Sequence, residues 1–104
     1  MTEEYGFQDY CFNWNKDKNL SNIRKHGLSF KEAASAFLDP YATIIDDIEH
    51  SQDEERYILV GMSKKLNLLM VCHCYRDDDE IICIISARAA TKKEQKLYGG
   101  ARHD

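Results

Sequence analysis

Four side chains in the second half of the chain have the types that metal-independent cleavage of RNA requires: His50, Glu55, Arg56 and Arg88. The reaction needs a base to activate the ribose 2′-hydroxyl and an acid to protonate the leaving 5′-oxygen, and each contributes about 10²–10⁴-fold in rate. It also needs cations to hold the charge that builds on phosphorus, and the planar fork of an arginine can donate to two phosphate oxygens at once. Spacing alone leaves this as one hypothesis among several, and His50 fits a solvated histidine among acids somewhat better.

The segment before Arg88 would place that guanidinium at the end of a strand. Residues 81–85 are β-branched at four of five positions, which suits a largely buried strand. Thr91 and Glu94 then have the spacing of a capping box, in which two side chains satisfy backbone donors at the start of a helix. A guanidinium beside a helix N-terminus would attract an anion.

Four further residues are candidates for binding RNA. Lys25 and His26 offer a cation and a base at a predicted helix end, where capping of the helix dipole is an equally good explanation. Lys92 and Lys93 lie one turn beyond Arg88 and could add positive charge to the same site.

The four cysteines are expected to be reduced thiols packed in strands. Cys72, Cys74 and Cys83 lack the Cys-x-x-Cys spacing of a zinc knuckle, so core packing is favoured over metal binding. The chain contains no Gly-rich phosphate loop, nucleophile elbow or dinucleotide-binding fingerprint. We therefore expect no metal and no cofactor.

Length and composition predict one soluble domain over residues 1–104, with 43% hydrophobic residues and no apolar run of membrane-spanning length. The acidic start lacks the apolar core of a signal peptide, so a cytoplasmic location and no membrane partner are expected. The net charge of −4 argues against a nucleic-acid partner, but its distribution does not. Residues 16–32 and 88–104 each carry five cations against two acids, and the acids concentrate in segments 46–55 and 77–80, which could be inert loops.

Residue patterns predict an α+β fold. Residues 5–14 suggest an edge strand, and a helix from Asn15 to Gly27 would carry Leu20 and Ile23 on one side. A second helix should begin with the capping box Ser29–Glu32 and stop at Asp39-Pro40, burying four side chains: Phe30, Ala33, Ala34 and Phe37.

The rest of the chain predicts a four-stranded antiparallel meander followed by a C-terminal helix from Thr91 to about Tyr98. The expected strands are Ala42–Asp46, Arg56–Met62, Leu68–Tyr75 and Ile81–Ala87. Short polar connections between them favour hairpins over parallel crossovers.

Residues distributed from about Phe12 to Tyr98 carry a resemblance to a known family. They are Phe12-Asn13-Trp14, Lys18, Asn22, Lys25-His26-Gly27, Phe30, Glu32-Ala33-Ala34, Phe37, Asp39-Pro40, His50-Ser51, Glu54-Glu55-Arg56, Gly61, Ile85-Ser86-Ala87-Arg88, Ala90-Thr91, Glu94 and Tyr98. Together they resemble the BrnT family of toxins from type II toxin–antitoxin pairs. The resemblance implies a RelE-like fold and a ribonuclease that blocks translation. It also implies a BrnA-like antitoxin that neutralises the toxin and whose DNA-binding end carries the complex to its operator, with a homodimer as one arrangement within that complex.

Carried over by this resemblance, Arg88 and Arg56 would hold phosphate charge and His50 would act as acid or base. Glu55 would be its partner or the alternative base, with Lys25 and His26 as second choices. Two positions depart from the family. Asn15 replaces a usual Asp, and Ala89 replaces the cation that usually follows Arg88.

Two other functions remain open at this point. Ala89 is consistent with an interaction module that has weakened catalysis and acts mainly in antitoxin binding and operon control. The two helices between Asn15 and Phe37 could also bind DNA directly as a helix-turn-helix, although they are needed to cover the sheet.

Overall fold

The chain folds into a mixed sheet with helices on one face. A computed structural model describes residues 1–47 and 54–99. Its strands are β1 (Thr2–Phe7), β2 (Tyr10–Asn15), β3 (Thr43–Asp46), β4 (Tyr57–Met62), β5 (Leu68–Arg76) and β6 (Ile81–Ala89). Helices α1 (Lys16–His26) and α2 (Phe30–Ser35) follow the first hairpin, and short 3-10 turns lie at Ala36–Leu38 and Glu94–Leu97.

The sheet has the strand order β1-β2-β6-β5-β4-β3, so the prediction of a four-stranded antiparallel sheet is wrong. The meander from β3 to β6 is present, but it is extended by an N-terminal hairpin rather than a single strand over residues 5–14. Strand β2 joins β6 in parallel through Cys11–Asn13 and Ile81–Cys83. This pairing unites segments far apart in the chain, which no local pattern can indicate.

Helix α1 begins and ends where its caps predict. The Asn15 side chain accepts a hydrogen bond from the Lys18 N–H at 3.0 Å, and Gly27 adopts a left-handed φ of 68° with its N–H bonded to the Ile23 carbonyl. The side of α1 that carries Leu20 and Ile23 is not its buried side, however. Leu20 and Ile23 are 47% and 40% exposed, and the buried side chain of this helix is Asn22.

Helix α2 buries Phe30, Ala33 and Ala34 completely, as predicted, and Phe37 in the following turn is 8% exposed. The ring of Phe30 in α2 packs edge-on against the Trp14 ring of β2, with ring centroids 6.0 Å apart. The core therefore lies between α2 and one face of the sheet.

The predicted capping box of α2 is half formed. Ser29 accepts a hydrogen bond from the Glu32 N–H at 3.1 Å, but the Glu32 carboxylate does not return to the helix start. It accepts hydrogen bonds from Ser63 and Asn67 at 2.8 Å each, and so fastens α2 to the turn between β4 and β5.

The predicted C-terminal helix is also wrong, because only the 3-10 turn Glu94–Leu97 forms there. Its apolar face is too small to hold a helix, since Leu97 is 40% exposed. The chain instead carries Tyr98 to Asp39, whose carboxylate accepts the Tyr98 hydroxyl and the Met62 N–H. In the parts of the chain that the structure describes, no helix is long and apolar enough to span a membrane.

Candidate active site

A cleft of about 320 Å³ lies on the sheet face opposite the helices. Side chains alternate along strands, so the core residues Leu59 and Val71 face the helices while Ile58 and Cys72 face the cleft. We call it the two-arginine cleft, and it is lined by Asp47, Arg56, Ile58, Met70, Cys72, Ile85, Ser86 and Arg88.

A β-bulge in β6 turns Arg88 into this cleft. Cys72 pairs with Ser86 and His73 pairs with Ile84, which leaves Ile85 as an extra residue in β6. Strict alternation from the buried Ile84 would place Arg88 on the helix face. The extra residue shifts the alternation, so that Ala87 is buried at 1% exposure and Arg88 faces the cleft.

Helix α1 supports the bulged part of β6 from the side. Strand β2 pairs with β6 only as far as Cys83, so the backbone beyond it needs other partners on that edge. The buried Asn22 side chain supplies one, because its oxygen accepts the Ala87 N–H at 3.1 Å. Its amide donates to the Leu28 carbonyl at 2.9 Å, which ties the end of α1 to the strand that carries Arg88.

The Arg88 guanidinium is held by the Glu94 carboxylate in a two-point ion pair. Both nitrogen–oxygen distances are 2.7 Å. The hydrogen bond from Arg88 lowers the pKa of Glu94 to about 2, and the hydrogen bond to Glu94 raises the pKa of Arg88. The carboxylate therefore occupies the fork that the sequence assigned to phosphate.

The predicted capping box at Thr91 forms, but it serves this ion pair rather than a helix. The Thr91 N–H donates to Glu94 Oε1 at 3.0 Å, and the Glu94 N–H donates to the Thr91 hydroxyl at 3.2 Å. Lys92 and Lys93 are exposed in the same turn, and neither lines the cleft.

Arg56 reaches the cleft from the opposite wall, next to Asp47. The Asp47 N–H donates to the Arg56 carbonyl at 2.9 Å, which continues the pairing of β3 with β4 by one residue. The Cys72 thiol donates to Asp47 Oδ2 at 3.6 Å. Burial and the Asp47 charge raise the pKa of Cys72 to about 11, so the thiol is protonated and not a nucleophile near neutral pH.

Of the residues predicted from the sequence, the described structure brings Arg56 and Arg88 together in one cleft. Glu55 does not line it, and instead accepts the Tyr57 hydroxyl at 2.7 Å, a hydrogen bond that raises the pKa of Tyr57 to about 12. Lys25 and His26 are exposed at the end of α1, away from the cleft.

His50 lies outside the described residues. Sequence reasoning missed Asp47, the one carboxylate among the cleft's described lining residues. Its signal was its position directly after the short apolar strand β3, where a loop residue can reach a site.

Comparison with known proteins gave one family and a similar fold. A family model described as a ribonuclease toxin, BrnT, of a type II toxin–antitoxin system matches residues 14–94. The 1.1 Å crystal structure of the Brucella abortus ribonuclease toxin, BrnT, is 23% identical, covers 76% of this chain and 94% of that chain, and has a TM-score of 0.57. No curated protein matches the chain. At this identity, the likeness to the crystal structure concerns the fold.

Proposed function

This chain belongs to the BrnT family of ribonuclease toxins of type II toxin–antitoxin systems, and from that premise we propose that it cleaves RNA without a metal ion in the two-arginine cleft. The observation that carries the proposal is the presence of Arg56 and Arg88 in the same cleft, although they are 32 positions apart along the chain. Two guanidinium groups that line one cleft suit a phosphate that gains charge during the reaction.

The proposed reaction is transfer of a phosphodiester to the neighbouring ribose hydroxyl. A base takes the proton from the 2′-hydroxyl, the 2′-oxygen bonds to phosphorus, and the bond from phosphorus to the 5′-oxygen breaks. An acid gives the leaving oxygen a proton. The products are a 2′,3′-cyclic phosphate and a 5′-hydroxyl, with Arg56 and Arg88 neutralising the charge on the phosphorus oxygens.

Three residues are candidates for the proton transfers. Asp47 lines the cleft beside Arg56, so it is the carboxylate best placed to act as the base. His50 follows Asp47 by three positions in the sequence and is proposed as the acid or the base. Glu55 is proposed as a partner of His50, although its hydrogen bond with Tyr57 occupies one of its oxygens.

The proposed biological role follows from the family. Cleavage of RNA would inhibit translation in the cytoplasm, and a BrnA-like antitoxin would neutralise the toxin. The complex would reach operator DNA through the antitoxin. Lys25, His26, Lys92 and Lys93 have exposed side chains that could contact RNA outside the cleft.

A second candidate function is favoured by the Arg88–Glu94 ion pair. An interaction module with weakened catalysis, acting mainly in antitoxin binding and operon control, would tolerate an arginine whose fork is filled by a carboxylate. The alanine at position 89 points the same way, because it leaves Arg88 without the cation that usually follows it in the family.

Replacement of Arg88 tests the primary proposal. The purified chain should cut RNA in the presence of EDTA and leave 2′,3′-cyclic phosphate ends. Arg88→Ala should lower kcat/KM by about 10²-fold or more, the scale of one lost transition-state donor. Arg76→Ala is the matched control, since Arg76 is an exposed arginine paired with Glu54 at 3.2 Å and does not line the cleft.

The two candidates predict different results. Cleavage that Arg88→Ala and Arg76→Ala leave equally intact would remove Arg88 from the mechanism. An unmodified chain that binds the antitoxin but neither cuts RNA nor arrests growth would support the interaction module.

A further inference from the structure

A second and larger cleft, of about 660 Å³, lies on the helix side of the sheet. Its lining includes the core residues Phe37, Leu59 and Ile82, which are 8%, 2% and 5% exposed. Tyr10 and Ile44 also line it and are 39% and 49% exposed. Helices α1 and α2 pack over β1, β2 and β6, and the cleft opens where that cover ends.

The charged residues of this cleft are all acidic: Asp9, Asp39, Asp79 and Glu80. Lysine, arginine and histidine are absent from its described lining. We call it the acidic cleft. Asp39 uses its carboxylate within the fold, on Tyr41, Met62 and Tyr98, whereas the other three acids are exposed.

Two turns present the exposed acids to the cleft. Asp9 is in the turn between β1 and β2, and Asp79 and Glu80 are in the turn between β5 and β6. Tyr75 lies on the cleft wall, and burial of its ring together with the nearby charge of Asp79 raises the pKa of Tyr75. Negative charge from two turns thus converges on one apolar depression.

The apolar surface and the negative charge of the acidic cleft together indicate which kind of ligand it can bind. Phosphates of RNA would meet four carboxylates, so the acidic cleft repels the substrate proposed for the other face. A polypeptide segment with lysine or arginine next to apolar side chains could pack on the apolar residues of the cleft and form ion pairs with its exposed acids. Tyr10 is a partly exposed aromatic side chain of the kind enriched in protein interfaces, and Ile44 adds exposed apolar surface to the same cleft.

We propose that the acidic cleft is the docking site for a basic, apolar segment of the antitoxin. The identity of this partner rests on the proposed function, whereas the chemistry of the segment rests on the cleft itself. The two clefts lie on opposite faces of the sheet, because Leu59 lines one and its neighbour Ile58 lines the other. Docking therefore supplies affinity without touching Arg56 or Arg88.

A pair of matched double variants tests the docking site. Asp79→Lys with Glu80→Lys reverses two charges in the acidic cleft, and Asp77→Lys with Asp78→Lys makes the same change at exposed positions of the same turn that do not line it. Binding of purified antitoxin is measured at 0.15 M salt, where charges more than about 8 Å apart are largely screened. The cleft pair should raise Kd about tenfold or more, and the control pair should change it less than about threefold.

A second pair of variants avoids this turn. Ile44→Ser in the acidic cleft should raise Kd about three- to tenfold, while Leu66→Ser, at a residue 80% exposed outside it, should not. Unchanged affinity in both cleft variants, or no antitoxin binding by the unmodified chain, would overturn the proposal. A dimer of the chain alone that the cleft pair abolishes would assign the cleft to a second copy and also overturn it.

Cleavage of RNA without antitoxin separates this proposal from the proposed function. The cleft variants should cut RNA at the same rate as the unmodified chain. If no variant cuts RNA but the cleft pair alone loses antitoxin, the docking site holds and the ribonuclease proposal fails.

Discussion

The Glu94 carboxylate meets the Arg88 guanidinium with the same two-point geometry that a phosphate would use. Any phosphate bound by that fork must therefore displace Glu94. The ion pair is only partly exposed, with side-chain exposures of 44% for Arg88 and 24% for Glu94. Exposed ion pairs contribute about 0.2–1 kcal/mol, so the free-energy cost of displacing Glu94 from Arg88 is modest.

Glu94→Gln should strengthen RNA binding by removing this competing charge. We expect KM for RNA to fall about two- to fivefold, the factor that corresponds to an exposed ion pair. Steady-state cleavage of a short RNA measures it. Thr91→Ala is the control, because it removes a capping hydroxyl but leaves the ion pair in place. A higher KM in Glu94→Gln would mean that Glu94 positions Arg88 rather than competing for it.

The acid stability of the chain should report the same ion pair. The pKa of Glu94 falls from 4.5 to about 2 in the folded state. A lowered folded pKa adds stability that is fully present above the unfolded pKa and is lost as pH falls through the folded one. The difference in unfolding free energy between the unmodified chain and Arg88→Ala should thus be constant above about pH 5 and shrink towards pH 2. Urea unfolding across this range measures it, and a difference independent of pH would contradict the assignment.

At the scale of the secondary-structure elements, the bulge in β6 and its contact with α1 determine which way the Arg88 side chain points. Its extra residue at Ile85 changes which side chains face the cleft, and the Asn22 side chain of α1 satisfies the Ala87 N–H beyond it. A bulge bends its strand and needs such support from neighbouring elements. The buried amide of Asn22 thereby links the end of the first helix to the proposed site.

Asn22→Ala should lower the free energy of unfolding by about 1–3 kcal/mol. The Ala87 N–H and the Leu28 carbonyl would both lose their partner, and an unsatisfied buried polar group costs about that much. Thermal or urea unfolding measures the change. Ser21→Ala, on the same helix, should alter stability by less than about 0.5 kcal/mol. Equal stability of the two variants would show that α1 does not support the bulge.

At the scale of the whole molecule, the first 3-10 turn packs against β4 at a glycine. A Cβ built on Gly61 would lie 2.9 Å from the Ala36 carbonyl oxygen and 2.7 Å from a methyl group of Leu59. The leucine side chain can rotate, but the backbone oxygen can move only with its turn. Gly61 therefore sets how closely the helical layer approaches the sheet.

Gly61→Ala should destabilise the fold by about 1–3 kcal/mol, the usual cost of an added methyl group in a packed interior. Gly6→Ala is the matched control, because a Cβ there would meet nothing within 4 Å. Urea unfolding of both variants measures the difference. A Gly61→Ala variant as stable as Gly6→Ala would show that the turn and β4 can separate without cost.

The whole molecule also separates its two clefts by charge. The net charge of −4 conceals a two-arginine cleft on one face of the sheet and an acidic cleft on the other. Under the two proposals, the phosphate and the basic polypeptide would bind at differently charged surfaces on opposite faces of the sheet. Net charge alone could not have indicated either site.

The amino-acid sequence by itself determined the local features of this protein. Asn15 and Gly27 bound α1 as predicted, the buried face of α2 follows its residue spacing, and the four strands of the meander lie within two residues of their predicted ends. These features depend on residues a few positions apart, whose caps and periodicity act within one element. The BrnT resemblance likewise rested on short segments and their order.

Only the tertiary structure decided the parallel pairing of β2 with β6, the bulge that turns Arg88 and the partner of its guanidinium. It also brought Asp47 into one cleft with two arginines and left the predicted C-terminal helix as a single turn. The physical reason is distance along the chain. The bond that supports the bulge joins Asn22 to Ala87 across 65 positions, and an interaction that remote is set by packing rather than by any local pattern.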